Sequence, residues 1–275
     1  YLLTQDGRLA KLSKTNSNYF ADGTTVDETK GNIMFHAPRL YYLVKTDAVT
    51  GIPYLWASSL PIGGHYIESP CLGAYKADVI ADKLVSRSGR VPKGGLTISQ
   101  FWAKARANGN DYGLVSYDLR RFMMMIHLFE YGNPNCQTKI GYGVGGSTNG
   151  DFLGAASKLT TGATKTLGDS CGSIAIDALA DATASKPASV NSSRVSLFGI
   201  EDAWNWQWEM TQGIYFGKSE NTGQTGKEVF IYDGNRMPTD AELTTKPAGD
   251  YRKLERMDGE GYVSKMALGE YFDLI

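Results

Sequence analysis

Apolar and polar side chains alternate from residue 31 to residue 45, and this pattern predicts β-structure in the first third of the chain. Aromatic and β-branched side chains dominate the run from Leu40 to Val44, as is typical of strands. A turn is expected at 48–51, followed by a return strand at 54–57. Residues 73–77 predict a further short strand.

Helical periodicity replaces the alternation after residue 97. Thr97 with Gln100 three residues later forms a capping box, and Asn108-Gly109 predicts the end of this first helix. Its apolar residues recur at helical spacing, namely Ile98, Phe101, Trp102 and Ala105.

A second helix is predicted from Ser116 to Gly132, with Asp118 in its first turn. Its predicted buried stripe consists of Leu119, Phe122, Met123, Ile126 and Phe129. His127 lies off this stripe, so we expect it at the surface or at its boundary. The run Met123-Met124-Met125 is interpreted as core packing.

The second half of the chain predicts short strands separated by long loops. We expect strands at 194–200, 204–210, 213–216 and 228–232, a polar loop at 217–227, a surface loop at 177–193, and a short strand or turn at 262–266. If 204–210 is a strand, Trp204, Trp206 and Trp208 share one face, either as a core wall or as a stacking platform for a ligand. Two helices among scattered strands indicate an α+β fold with a loop-rich half.

Composition narrows the possible functions. The 275 residues carry a net charge of −1 without a basic run, which argues against nucleic acid as a partner. No apolar run approaches the roughly 18 residues of a membrane span, so no membrane insertion is expected. Because the chain begins with Tyr1, we expect it to be a processed or partial product.

Motifs for catalysis or metal binding are weak. Cys71, Cys136 and Cys171 lack zinc-site spacing and are interpreted as free thiols, although one disulfide remains possible. Residues 141–146 fit G-x-G-x-x-G, but no strand precedes them and no helix comes after them, so nucleotide binding is not expected. Loop oxygens such as those of Asp177 lack a D-x-D-x-D-G pattern, and we expect no metal and no cofactor.

The adjacent carboxylates Glu201 and Asp202 point to opposite faces if they lie in a strand, which is unsuited to shared acid–base chemistry. We therefore expect a structural role, in which one carboxylate accepts hydrogen bonds from nearby backbone N–H groups.

Residues 199–208, which read Gly-Ile-Glu-Asp-Ala-Trp-Asn-Trp-Gln-Trp, resemble the G-[IL]-E-N-x-W-G-N-[IV]-W-E-W signature of C-type-lectin-like domains. That signature occurs in phage tail fibres and retroelement-diversified binding proteins, and a related form occurs in formylglycine-generating enzymes. Segments 31–42, 73–75, 129–143 and 161–172 resemble further stretches of the phage branch in the same order. The resemblance covers roughly residues 31–275, so we expect a C-type-lectin-like domain there, preceded by an N-terminal segment, 1–30.

The resemblance implies two helices flanking small antiparallel sheets with long irregular loops. It also implies a set of structural signature residues: Gly199, Glu201, Trp204, Trp208, Gly213, Asn135 and Gln137. The family's W-G-N reads Trp204-Asn205-Trp206 here, so Asn205 and Trp206 are candidates for ligand contact. The polar loop adds further candidates: Lys218, Glu220, Asn221 and Gln224.

These implications predict a non-catalytic adhesin on a phage virion, such as a tail fibre, that recognises a glycan or protein receptor on a bacterial cell. Expected partners are that receptor, other virion proteins and further copies of the chain, with a trimer favoured. Assembly is expected in the host cytoplasm. The alternatives are a structural decoration or connector protein of the virion and a formylglycine-generating oxidase. The oxidase needs a late cysteine pair for copper, and no cysteine follows Cys171.

Overall fold

Short antiparallel strands make up most of the regular structure of this chain, which was analysed as a computed structural model. The structure describes residues 1–145, 159–176, 191–207, 209–218, 225–232, 251–254 and 272. The strands are β1 (Leu2–Thr4), β2 (Leu9–Ala10), β3 (Gly31–His36), β4 (Leu40–Thr46), β5 (Pro53–Ser58), β6 (His65–Ile67), β7 (Cys71–Gly73), β8 (Asp78–Ile80), β9 (Lys83–Val85), β10 (Val144–Gly145), β11 (Gly172–Ala175), β12 (Asn191–Leu197), β13 (Ile200–Glu201), β14 (Ile214–Lys218), β15 (Thr225–Tyr232) and β16 (Tyr251–Lys253). The α-helices are α1 (Ile98–Arg106), α2 (Tyr117–Tyr131) and the short α3 (Cys136–Lys139).

The strands form five small sheets, and every pair of strands in the described ranges is antiparallel. The sheet orders are β2-β1-β3-β7, β5-β4-β6, β8-β9, β14-β15-β16, and β10-β12-β11 with β13 paired to β12. Small antiparallel sheets beside a few helices constitute an α+β fold, as predicted. Among the described helices, none is both long and apolar enough to cross a membrane.

The predicted helix ends are confirmed. Capping residues can be predicted from the sequence because their hydrogen bonds reach only a few residues along the chain. The Gln100 N–H donates to Thr97 Oγ1 at 3.2 Å and the Thr97 N–H donates to Gln100 Oε1 at 2.9 Å, which completes the capping box. Ser116 accepts a hydrogen bond from the Leu119 N–H at 3.2 Å and so starts α2. Gly132 ends α2 with a left-handed φ of 58°.

The predicted buried face of α2 is partly wrong. Phe122 and Met123 are buried as expected, but Phe129 is 48% exposed and His127 only 4% exposed. The His127 ring lies 4.9 Å from that of Tyr131 and 6.3 Å from that of Trp204. The chain near Trp204 therefore covers a second side of the helix, which rotates the buried stripe away from Phe129.

The main core joins α2 to the β4 sheet and to β12. Its buried members are Tyr42, Val44, Ile67, Leu72, Phe122, Met123, Met125, Ile140, Val195, Leu197, Ile200 and Phe272. A smaller cluster packs Leu2 and Leu12 against Ile33, so the first 30 residues share a sheet and a core with residues of the predicted domain. The domain boundary at residue 30 stays a prediction.

Several strand predictions differ from the structure or lie outside the described residues. The strand expected at 194–200 begins at Asn191 and ends at Leu197. Residues 204–207 form bends rather than a strand, and the strand predicted at 73–77 instead ends at Gly73. The strands predicted at 213–216 and 228–232 are confirmed as β14 and β15, which pair with each other, but the loop predicted at 217–227 is partly wrong because β14 extends to Lys218 and β15 begins at Thr225. The segments 177–190 and 262–266 lie outside the described residues.

Candidate functional site

A buried arginine organises the segment that carries the sequence signature. Arg194 lies on β12 with its side chain 1% exposed. Its Nη2 donates to Glu201 Oε1 at 2.7 Å, and its Nε donates to Asp202 Oδ2 at 2.6 Å. Its Nη1 donates to the Thr160 carbonyl at 2.7 Å. One guanidinium thus binds two carboxylates that are adjacent in sequence.

The prediction that Glu201 and Asp202 face opposite ways is wrong. Strand β13 ends at Glu201, and Asp202 has a φ of 49°, which turns its carboxylate toward Arg194. The predicted structural role is confirmed: Glu201 accepts hydrogen bonds from the backbone N–H groups of Gly162 and Thr164, each at 2.8 Å. Asp202 likewise accepts one from the Val195 N–H at 3.2 Å.

These carboxylates share one cation in the protein interior. Burial raises the pKa of both the Glu201 and the Asp202 carboxyl, although Arg194 opposes the shift. The hydrogen bonds of this cluster join β12 and β13 to the segment 160–164. The two carboxylates therefore have a structural role.

Trp206 closes this cluster on one side. The guanidinium carbon of Arg194 lies 3.9 Å from the centroid of the Trp206 ring, a close cation–π contact. The Trp206 backbone N–H donates to the Val144 carbonyl at 2.8 Å. Asn205 and Trp206 have φ values of 64° and 68°, in the left-handed region that asparagine tolerates but tryptophan rarely adopts.

Among the other contact candidates, Asn205 is exposed and donates its Nδ2 hydrogen to the Tyr142 carbonyl. Lys218 belongs to β14, where its backbone pairs with Thr225. The remaining candidates, Glu220, Asn221 and Gln224, lie outside the described residues.

The signature residues that the structure describes hold the backbone in place. Trp204 is partly buried and donates its indole N–H to the Gly141 carbonyl at 3.0 Å. Gly199 and Gly213 have φ values of 82° and 76°. Asn135 caps α3 by accepting a hydrogen bond from the Thr138 N–H at 3.1 Å.

Of the other two signature residues, Gln137 lies on α3 and is partly buried, whereas Trp208 lies outside the described residues. The three-tryptophan face expected from a strand is not formed at 204–207, because the backbone turns at Asn205 and Trp206.

A cavity of about 680 Å³ opens beside Trp206. Its walls come from the loop 92–96, from α1, from residues 112–115, and from residues 200–203, 206–207 and 209–210. Most of the lining is apolar or aromatic and includes Phe101, Tyr112 and Trp206. This size and character fit the usual range of small-ligand sites.

Three charged side chains lie together in the wall of this cavity. Glu209 forms salt bridges with both Lys76 and Arg120. The Lys76 side chain is only 7% exposed, and burial lowers the pKa of its amine to about 8. Burial also lowers the pKa of Arg120, which donates to the Ala203 carbonyl at 3.3 Å. The cavity therefore presents two donors and one acceptor against apolar walls.

Sequence reasoning missed Arg194, Lys76 and Arg120. Arg194 could have been noticed in the sequence, because it stands beside Val195 and Leu197 in a segment whose alternating apolar residues predict a buried strand. Lys76 and Arg120 carry no comparable signal, because their neighbours along the chain do not reveal that they share Glu209.

Metal chemistry has no support in the described part of the chain, where no group of three or more His, Cys, Asp or Glu side chains is placed to hold an ion. All three cysteines are free. No family model, no curated protein and no solved structure matches this chain. The C-type-lectin-like fold thus stays a prediction from the sequence.

Proposed function

We propose that this chain is a non-catalytic adhesin on the surface of a phage virion, built on a C-type-lectin-like domain, and that the 680 Å³ cavity binds part of a receptor on a bacterial cell. One observation carries the proposal: the cavity lies against Trp206, whose left-handed backbone sits in the segment that resembles the family signature. Unusual backbone conformations concentrate at binding sites.

The side chains in the cavity suit a ligand with several hydroxyl groups. Lys76 and Arg120 pair with Glu209, but an ammonium group has three N–H donors and a guanidinium five, so a ligand can accept further hydrogen bonds from them. Tyr112 and Trp206 add flat apolar surface. Sugars present hydroxyl groups around the ring edge and apolar C–H groups on the ring faces, so a surface glycan fits this combination better than an extended protein segment does.

A virion carries many copies of its surface proteins, so each site needs little affinity. Simultaneous contacts raise the overall affinity by about 10² to 10⁴ when the geometry allows them. The proposal therefore includes homo-oligomers, with a trimer favoured, and contact with other virion proteins after assembly in the host cytoplasm.

The experiment is a binding assay with a panel of bacterial strains and a glycan array, using the purified full chain. The test variant is Gly94→Trp. Gly94 lines the cavity, is exposed and has open space where a side chain would begin, so an indole there adds bulk at the cavity wall without backbone strain. Ala103→Trp is the matched control, because Ala103 is exposed on α1 and lies outside the cavity lining.

We expect the wild type and Ala103→Trp to bind at least one strain or glycan, and Gly94→Trp to bind at least tenfold more weakly at an unchanged melting temperature. Equal binding by Gly94→Trp would remove the cavity from the proposal. No binding to any strain, combined with tight co-purification with a capsid or tail core, would overturn the adhesin itself.

The second candidate is a structural decoration or connector protein of the virion. It is favoured by an apolar sheet face that the fold leaves exposed, with Tyr54, Trp56 and Tyr66 between 47% and 61% exposed. Such a face suits permanent protein contacts.

A further inference from the structure

The sheet β5-β4-β6 buries only one of its faces. Tyr42 and Val44 of β4 and Ile67 of β6 point into the main core. Alternate residues point the other way, because side chains alternate along a strand. Cross-strand partners then place further side chains on that outer side: Tyr41 opposite Tyr66, Leu43 opposite Trp56, and Lys45 opposite Tyr54.

Exposed aromatic side chains lie on this outer side, and the adjoining loops are apolar as well. Trp56 is 61% exposed, and the loops that follow β4 and β5 expose Val49 at 94% and Leu60 at 71%. We call this strand surface together with the two loops the outer aromatic face, defined by seven exposed members: Val49, Ile52, Tyr54, Trp56, Leu60, Ile62 and Tyr66.

The outer aromatic face is large enough to contribute much of a protein interface. A whole aromatic side chain presents about 150–250 Å², so Tyr54, Trp56 and Tyr66, each about half exposed, offer roughly 300 Å², and the four aliphatic side chains add to this area. A typical monomer exposes a largest apolar patch of about 300–600 Å², whereas a stable interface buries about 800 Å² on each partner.

The chemistry of the face argues for a protein partner rather than a sugar. Residues 39–68 contain no Asn or Gln, the amides that would hold sugar hydroxyl groups. Both carboxylates of this segment are already engaged: Asp47 accepts from the Thr50 N–H at 2.7 Å, and Glu68 accepts from Arg39 Nε at 3.1 Å. The exposed aliphatic side chains of Val49 and Leu60 can only be covered by other apolar groups.

The charge of the segment favours a second copy of this chain. Arg39 and Lys45 balance Asp47 and Glu68, so residues 39–68 carry no net charge apart from His65. Copies of this face therefore meet without like-charge repulsion, two across a two-fold axis or three around a three-fold axis, and each copy supplies apolar area that the others bury. Arg39 lies 4.8 Å from the Tyr66 ring and forms a polar margin beside the apolar surface.

We propose that the outer aromatic face is the surface through which copies of this chain associate. The inference gives a location to the homo-oligomer included in the proposed function and deepens it, but it does not depend on receptor binding. Trp56 is the central anchor, since it is the largest of the seven side chains and lies on β5, between the two end loops.

The test measures the mass of the full chain by light scattering and sedimentation velocity from about 1 to 100 μM. We expect a dimer or trimer whose association persists at 1 M NaCl, because salt does not screen apolar contacts. The variants Trp56→Ser and Tyr66→Ser should each weaken association at least tenfold. Tyr19→Ser is the matched control, since Tyr19 is 43% exposed and lies outside the face.

Circular dichroism and melting temperature establish that each variant is folded. A wild type that stays monomeric at 100 μM, or an oligomer that survives in folded Trp56→Ser and Tyr66→Ser, overturns the proposal. The binding assay with bacterial cells is repeated on the monomeric variants at high concentration. Binding by a monomeric variant shows that receptor recognition does not require association, so either proposal can fail without the other.

Discussion

The ring of Trp206 covers the guanidinium of Arg194, with 3.9 Å between the ring centroid and the guanidinium carbon. Glu201 and Asp202 bind the same guanidinium through its nitrogen atoms. Trp206 makes this contact with a φ of 68°, a conformation that costs free energy in a bulky residue.

The first prediction separates the ring contact from the backbone strain. Trp206→Ala should lower the free energy of unfolding by about 2–4 kcal/mol, because it removes the cation–π contact and buried apolar area but keeps the strained backbone. Trp206→Gly should lose about 1 kcal/mol less, because glycine adopts a positive φ without strain. Urea denaturation measures both values, and equal losses would mean that the backbone strain is negligible.

The second prediction concerns the buried ion cluster. Arg194→Met should lower the free energy of unfolding by about 3–5 kcal/mol, since it leaves Glu201 and Asp202 buried without a counter-charge. Adding Asp202→Asn to Arg194→Met should restore part of the loss by removing one of the uncompensated charges. Thermal and urea unfolding report both effects.

The control for that experiment is the exposed salt bridge of Arg8 with Asp6, whose side chains are 85% and 58% exposed. Arg8→Met should leave the free energy of unfolding almost unchanged, because exposed salt bridges contribute little. A loss as small for Arg194→Met would show that Arg194 does not stabilise the two carboxylates.

The third prediction is a pH dependence from Lys76. Burial lowers the pKa of its amine from 10.5 to about 8 in the folded chain, so between these values the unfolded chain binds more protons than the folded one. The contribution of Lys76 to stability should therefore rise as the pH increases from 8 to 10.5, by up to about 3 kcal/mol. It should be lost again as the pH falls back to 8.

The measurement compares the free energy of unfolding of the wild type with that of Lys76→Met from pH 7 to pH 10.5. Groups that do not interact with Lys76 titrate equally in both proteins, so their effects cancel in the difference. A difference that stays constant over this range would contradict a lowered pKa.

The fourth prediction tests the signature glycine at 199. Gly199 has a φ of 82°, and a Cβ added there would lie 3.0 Å from the Gly168 carbonyl oxygen. Gly199→Ala should destabilise the chain by about 1–3 kcal/mol through strain and crowding. Gly94→Ala is the control, because Gly94 has open space and no left-handed φ. The melting temperature should fall only for Gly199→Ala.

Local features of the fold were predictable because a few neighbouring residues decide them. The capping residues Thr97 and Ser116 were identified from the sequence, since their hydrogen bonds reach only three residues along the chain. The strands around Tyr41 and Tyr54 were identified by their composition and by the turn between them.

Features that depend on distant partners were not predictable. The buried face of α2 depends on the chain near Trp204. The Trp204 ring lies beside that of His127, although the two residues are 77 positions apart in the sequence. The strand expected at 204–210 fails because Asn205 and Trp206 turn the backbone to bring an indole onto Arg194. Tryptophans at every second position favour a strand only if none of them makes a stronger contact with a residue outside the segment.

The residues of the candidate cavity also differ in how far the sequence could predict them. The sequence marked Trp206 as unusual, because it stands where the family signature has asparagine. Lys76 and Arg120 could not be connected with it, since 44 positions separate them and a single carboxylate, that of Glu209, brings them together.

By itself, the sequence determined the α+β class, the ends of the two longer helices and the hairpin of β4 and β5, because hydrogen bonds and side-chain periodicity within short segments specify them. The tertiary structure decided which side chains are buried, that Glu201 and Asp202 converge on Arg194, and that an aromatic sheet face remains exposed. Burial and charge pairing depend on which segments fold onto one another, and that information resides in contacts between residues far apart in the chain.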